Sequence, residues 1–269
     1  MRRLAIVMLL GACNKSFTSA DHVEGLRVLA IKAEPPEAAP GAMTTLTALA
    51  VDTGGAAITV DWAACTEAAI PGTGVVNPDC LQKDTAPFLV ELGVGTPLAA
   101  TLPMFDPNIF APPDASGGLY LPIRARASTS ADRIDVIYQM RLAQGTMPNH
   151  NPSIASVEVV AADGTTTPLD EATPLAVSHG QAITVRATFT PDSVETYTGQ
   201  GRMLTEQLRV SWFATGGTFS EPVTGIPKPD TVWTAVDPLP TSGSIIDVWV
   251  VGRDERGGTD FVHRAFQLR

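Results

Sequence analysis

Charge and aromatic side chains are both scarce in this 269-residue chain: Asp, Glu, Lys and Arg make up 17% of it, and Phe, Trp and Tyr 6%. What charge there is leans acidic, 28 Asp and Glu against 18 Lys and Arg. A chain of that sign lacks the basic face needed to hold nucleic acid or an anionic membrane surface, so neither is expected as a partner. Four histidines and three cysteines leave little material for a metal centre or a catalytic triad. No zinc-protease HExxH, GxSxG elbow, GxxxxGK[ST] phosphate loop or CxxC pair occurs. Nor does any apolar run approach the roughly 20 residues that a membrane-spanning helix needs. What is plentiful is Pro (22) and Gly (23), which favours a turn-rich, all-β chain.

The first thirteen residues stand apart. Arg2 and Arg3 form a cationic head, Leu4 to Leu10 (LAIVMLL) is uninterrupted apolar sequence, and Gly11-Ala12 lead into Cys13. A charged head, a short apolar stretch and a small-residue cleavage site are the signature of an export signal. Leu10-Gly11-Ala12-Cys13 resembles the lipobox of bacterial lipoproteins. That resemblance implies a signal peptide over residues 1–12, cleavage before Cys13, and several acyl chains on the new N-terminal cysteine. Several chains suffice for stable anchoring where one would be marginal. Loss of Arg2 and Arg3 leaves 16 basic against 28 acidic side chains, a net −12, so membrane contact is expected through lipid alone. Asn14 stands where an aspartate often marks inner-membrane retention in enteric lipoproteins. The expected place is therefore the cell envelope, at the outer membrane.

Residues 13–24 are polar and aperiodic after the cysteine and are read as a lipidated tether. Alternation then sets in. Arg27–Ala33, Met43–Val51 and Ile58–Ala64 have strand patterns, the last with Ile58, Val60, Trp62 and Ala64 on one face. Residues 66–117 are rich in Pro and Gly, with one strand at Phe88–Val94, and are expected to be an insertion. Tyr120–Ala127 and Arg133–Leu142 alternate around a polar turn and form a hairpin. Residues 144–153 (QGTMPNHNP and Ser153) have the composition of a linker. The pattern then repeats: strands at Ser156–Val160 and Ile183–Phe189, an inward set Leu208, Val210, Trp212 and Ala214 with the spacing of the first, and a closing hairpin of Ile245–Arg253 and Phe261–Leu268.

Two units each carrying a buried tryptophan on the third strand predict a pair of tandem immunoglobulin-like β-sandwich domains, over residues 25–143 and 154–269. The tryptophan strand and the hairpin around Arg256-Gly257-Gly258-Thr259 resemble immunoglobulin-like modules of exported bacterial proteins. The mature chain, apart from residues 66–117, is similar to the tandem immunoglobulin-like lipoproteins of predatory and soil delta-class bacteria such as myxobacteria. The resemblance implies the fold and is nearly silent on activity. It leaves a non-enzymatic spacer or binding module as the expected role.

Candidate chemistry is sparse. With Cys13 taken by lipid, Cys65 and Cys80 remain as a pair, for which a disulfide is the default in an oxidising compartment. It would be worth roughly 3 kcal/mol in the chain-entropy model. The alternative, a metal site, lacks nearby histidine ligands. His22, His150, His179 and His263 fall in the tether, the linker, a turn and the last strand. The acids Asp192 with Glu195 and Asp254 with Glu255 are read as solvated turn charge rather than a calcium site, and no cofactor is expected. An enzyme would need a pocket gathering Asp79, Asp84, Glu91 and Asp106 of the insertion. Phe213 is out of phase with the inward set, and Trp249 lies on a strand apolar on both faces. The two are expected to share an outer face, with Trp233 nearby. That face either binds an envelope protein or a glycan, or is covered by the first domain or the insertion.

Overall fold

The computed structural model describes residues 19–68, 76–106, 113, 116–143, 148–199, 201–236, 239 and 243–269. The expected signal peptide and the lipidation site Cys13 lie outside the described residues. No helix among those residues is long and apolar enough to cross a membrane.

The first unit holds β1 (Leu26–Glu34), β2 (Glu37–Ala38), β3 (Met43–Asp52), β4 (Thr59–Cys65), β5 (Leu89–Val94), β6 (Leu98–Thr101), β7 (Leu119–Ser128) and β8 (Arg133–Leu142). One sheet has the order β1-β3-β6 and faces a second of order β2-β8-β7-β4-β5. The second unit runs from β9 (Ile154–Val160) through β10 (Thr166–Pro168), β11 (Leu175–Val177), β12 (Ala182–Phe189), β13 (Thr196–Gly199), β14 (Arg202–Thr205), β15 (Arg209–Ala214), β16 (Thr218–Phe219), β17 (Val223–Gly225), β18 (Asp230–Thr234) and β19 (Ile245–Arg253) to β20 (Thr259–Leu268). Its sheets are β10-β9-β12-β18-β16 and β11-β20-β19-β15-β17, with β13-β14 a separate hairpin.

The all-β sandwich expectation holds, and the two units share one wiring. In each, the first strand pairs antiparallel with the long strand next after it, β1 with β3 and β9 with β12. In each, a short strand crosses to pair in parallel with the last strand, β2 with β8 and β11 with β20. Each sandwich is also bridged by its tryptophan. Trp62 and Trp212 are fully buried. Both indole N–H groups find an acceptor beside the next strand of the sheet: Trp62 donates to the Gly95 carbonyl (2.8 Å) and Trp212 to the Thr224 hydroxyl (3.0 Å). A buried indole needs that partner, since an unmatched donor costs about as much as a lost hydrogen bond.

Three expectations are corrected. The stretch 66–117 is not an insertion throughout: β5 pairs with β4 and β6 pairs with β3, so residues 89–101 belong to the sandwich. The strand expected at Phe88–Val94 is β5, while Gly and Pro neighbours mask β6. Residues 76–88 do form an appendage, tied down by the Cys65–Cys80 disulfide (Cα–Cα 5.9 Å). Buried Arg124 of β7 holds it from below, donating to the carbonyls of Lys83 (2.7 Å) and Cys80 (3.3 Å) at the end of the helical turn α1 (Asp79–Gln82). Residues 148–153 are no free linker; 144–147 fall outside the described residues. Asn149 is buried, and Asn151 donates to the Ala33 carbonyl (2.7 Å) and to Glu34 (2.8 Å) while accepting from Thr259 N. Finally, the tether is docked at its end. Val23 N donates to the Ala214 carbonyl (2.8 Å) and Ala214 N to the Asp21 carbonyl (2.9 Å), extending β15 by one parallel bridge.

Candidate functional site

These ties make a seam in which the sandwiches lie side by side. β1 runs along the outer face of the β15-β19-β20 sheet from end to end. Leu29 of β1 and Val23 of the segment before it pack with Leu49 and Val51 on Trp249 and Phe213. At its middle, Arg253 donates to the Leu29 carbonyl (2.8 Å), and further along Lys32 meets Asp260 (3.0 Å). Phe213 and Trp249 are direct cross-strand partners, as the alternation implied. Their face is covered by the first sandwich, and Trp249 keeps 8% of its surface. Covering an aromatic side chain of that size is worth roughly 4–6 kcal/mol before entropy is counted. The first sandwich, rather than a free ligand, occupies this face.

Trp233 is not nearby. It sits on β18 in the opposite sheet and is fully buried in the second core, its ring 4.6 Å from that of Phe266. Its N–H donates to the Gly216 carbonyl (3.0 Å). A Cβ at Gly217, whose φ is +74°, would fall 2.5 Å from the indole, so the turn must be glycine for this tryptophan to seat.

The other half of the seam is ionic. Arg256, in the turn between β19 and β20, is 3% exposed. It donates to Glu37 of the first sandwich (3.1 Å) and to Glu206 of the second (3.4 Å), lies 3.5 Å from Glu195, and covers the Tyr197 ring at 4.8 Å. Glu37 also accepts from Arg141 of β8 at 2.5 Å. One carboxylate thus joins a guanidinium from each sandwich, the arrangement that makes a buried charge tolerable. Asp254 shapes the turn, accepting from Arg256 N (2.8 Å), Gly258 N (2.7 Å) and Asn149 Nδ2 (3.1 Å). A Cβ at Gly258 would meet Asp254 Oδ2 at 2.0 Å. Burial raises the Asp254 pKa, and burial together with the Asp254 charge pushes Glu206 up to about 7. None of these groups was singled out by sequence for this role. Glu37 and Arg256 are far apart in the chain, and the sequence marks Arg256 only as part of the turn Asp254-Glu255-Arg256-Gly257-Gly258.

Beside the ionic cluster opens a cleft of about 410 Å³ between the free edges of β1 and β8 and the Arg253–Thr259 turn, walled by Val28, Ile31, Val136, Tyr138, Gln139 and Gly257. The Tyr138 hydroxyl and the Gln139 amide nitrogen are buried there without a hydrogen-bond partner among the described residues. Burial raises the Tyr138 pKa, so its hydroxyl stays protonated.

The four acids weighed for an enzyme are dispersed. Asp79 pairs with Lys83 (2.6 Å), and Asp84 meets Arg126 (2.7 Å) at 70% side-chain exposure. Glu91 and Asp106 are exposed elsewhere. The histidines scatter too. His22 bridges to Ala214, His179 is exposed in a turn, and His263 contacts Asp247 (2.8 Å). His150 contacts Glu195 at 2.5 Å, which raises its pKa. Asp192 is lowered by its Thr190 hydrogen bond, while Glu195 and Glu255 engage Arg256 and Tyr197. Among the described residues no group of three or more His, Cys, Asp or Glu side chains is placed to hold a metal ion.

No family model matches the chain, and no curated protein matches it. Among solved structures, Salmonella alpha-2-macroglobulin reacted with methylamine is similar at 13% identity and a TM-score of 0.27, over 91% of this chain and 17% of that one. Dimeric latent PorU from Porphyromonas gingivalis is similar at 10% identity and a TM-score of 0.23, over 91% of this chain and 24% of that one. The chain spans less than a quarter of the length of either.

Proposed function

We propose that this is a lipid-anchored cell-envelope protein, at the outer membrane, whose two immunoglobulin-like modules act as a non-enzymatic binding unit. The observation that carries the reading is Leu10-Gly11-Ala12-Cys13. It lies directly before a segment, Asp21–Val23, that is tied into the seam. Side-by-side packing gives little reach for a spacer, and the cleft between β1, β8 and the Arg253–Thr259 turn favours binding over spacing. The dispersal of Asp79, Asp84, Glu91 and Asp106 supports a role without catalysis. The glycan-binding alternative through Phe213 and Trp249 loses its surface to the first module. The test is Cys13→Ser in the full chain, expressed in a bacterial host and followed by membrane fractionation and intact mass. The wild type is expected in the membrane fraction with acyl mass on Cys13, and the variant in the soluble fraction. A wild-type protein recovered without acyl chains would overturn the reading.

A further inference from the structure

The docked segment determines more than the seam. Asp21–Val23 leaves its site beside Ala214, at one end of the second sandwich. The same end carries the turn after β15, where Thr215 N donates to the Asp247 carbonyl, and the closing contacts of Gly180 with Ala235 and Gly243 with Leu268. The first sandwich ends there too. Leu26 opposes Asp52, the chain then turns through Thr53–Gly55 to Thr59, and Thr59 opposes Ser128, which opposes Arg133 across the β7–β8 turn. From Cys13 to Ser19 the chain reaches at most roughly 20 Å when fully extended. The ten-residue strands β7 and β8 in the first and β20 in the second make each sandwich roughly 33 Å long. The near end is thus within tether reach of the anchor. The far end, with the disulfide-tied residues 76–88 and the β13-β14 hairpin, is not when the sandwiches stand upright.

Building on the lipid-anchor reading, we propose that this near end, formed jointly by the turns of both sandwiches at residues 53–58, 129–132 and 215–217, is a bilayer-facing surface. Its partner is a zwitterionic head-group layer. Asp52, Asp132, Asp247 and Glu24 lie at or beside that end, against the basic Arg133 and Arg269. An acidic end gains nothing from anionic lipid, whose surface potential rewards lysine and arginine. The far end then points away from the membrane.

The experiment uses full-length acylated protein in phosphatidylcholine vesicles carrying an acceptor dye on the head groups. A single donor dye is placed on Ala131→Cys at the near end or Met203→Cys in the β13-β14 hairpin, both exposed positions. With Cys13 acylated and Cys65 bonded to Cys80, the introduced thiol is the one to be labelled. Energy transfer is expected to be at least about threefold greater from position 131 than from 203. Val23→Asp, which expels the docked segment, is expected to shrink that ratio toward one. Equal or reversed transfer from acylated, vesicle-bound protein overturns the orientation while leaving the anchor intact. Absence of acyl mass and of vesicle binding removes the anchor itself, and the orientation with it. A ratio unchanged by Val23→Asp overturns docking as its cause.

Discussion

The two sandwiches are wired alike and stabilised alike at their centres, yet they differ in what their sheets face. In both, a tryptophan, on β4 in the first and β15 in the second, spans the sheets and hands its N–H to the neighbouring strand. The second sandwich adds Trp233 inside and Phe213 with Trp249 outside, and the outer pair is where the first sandwich rests. The first has no outer aromatic counterpart on its β4, where Ala63 stands in the place of Phe213 after Thr59 and Asp61, and it carries instead a loop tied by a disulfide and Arg124. Equivalent positions in a duplicated fold thus carry different duties. The inward set keeps the fold, while the outward set decides which sheet becomes an interface.

The comparison breaks first at the shared centre. Trp62→Ala and Trp212→Ala are each expected to cost about 3–5 kcal/mol, the range for truncating a fully buried tryptophan, measured by denaturant unfolding. Near-equal losses confirm equivalence. A loss under 1 kcal/mol at either site would mean that one sandwich does not depend on its bridge.

A smaller effect separates the sandwiches by charge. Glu206 belongs to the second sandwich, and its folded pKa of about 7 stands above the ordinary 4.5 because of burial. The folded state therefore holds this proton more tightly than the unfolded chain does. Its contribution is fully present below pH 4.5 and is lost as pH rises through 7, amounting to roughly 2–3 kcal/mol. Glu206→Gln removes that slope. The difference in stability between wild type and variant, followed from pH 4.5 to 8, should shift by that amount and in that direction. A flat difference would contradict it.

How much of this was legible follows from which residues carry it. Strands with clean alternation were read almost to the residue, β8 at Arg133–Leu142 and β19 at Ile245–Arg253 among them, because a half-buried strand imprints a period of two. The matched spacing of Trp62 and Trp212 exposed the duplication. β6 escaped because Leu98–Thr101 is four residues long and follows Gly95-Thr96-Pro97, where turn chemistry masks it. Trp233 was misplaced since β18 has five residues and no pattern to phase it. The apolar outward phase of Phe213 and Trp249 said that the face needed cover but not by what. The ionic half of the seam left no trace of its pairing in the sequence. Glu37 and Arg256 meet only because the first sandwich lies along the second, and no local pattern encodes a contact at that separation.

The central claim is that the seam makes the two sandwiches one cooperative body, and calorimetric unfolding of the full chain, with Trp249→Asp beside wild type, tests it most directly. The account predicts a single wild-type transition whose calorimetric and van't Hoff enthalpies agree, splitting into two once a charge is placed under Leu29 and Val23. Two independent transitions in the wild type, unchanged in the variant, would contradict it.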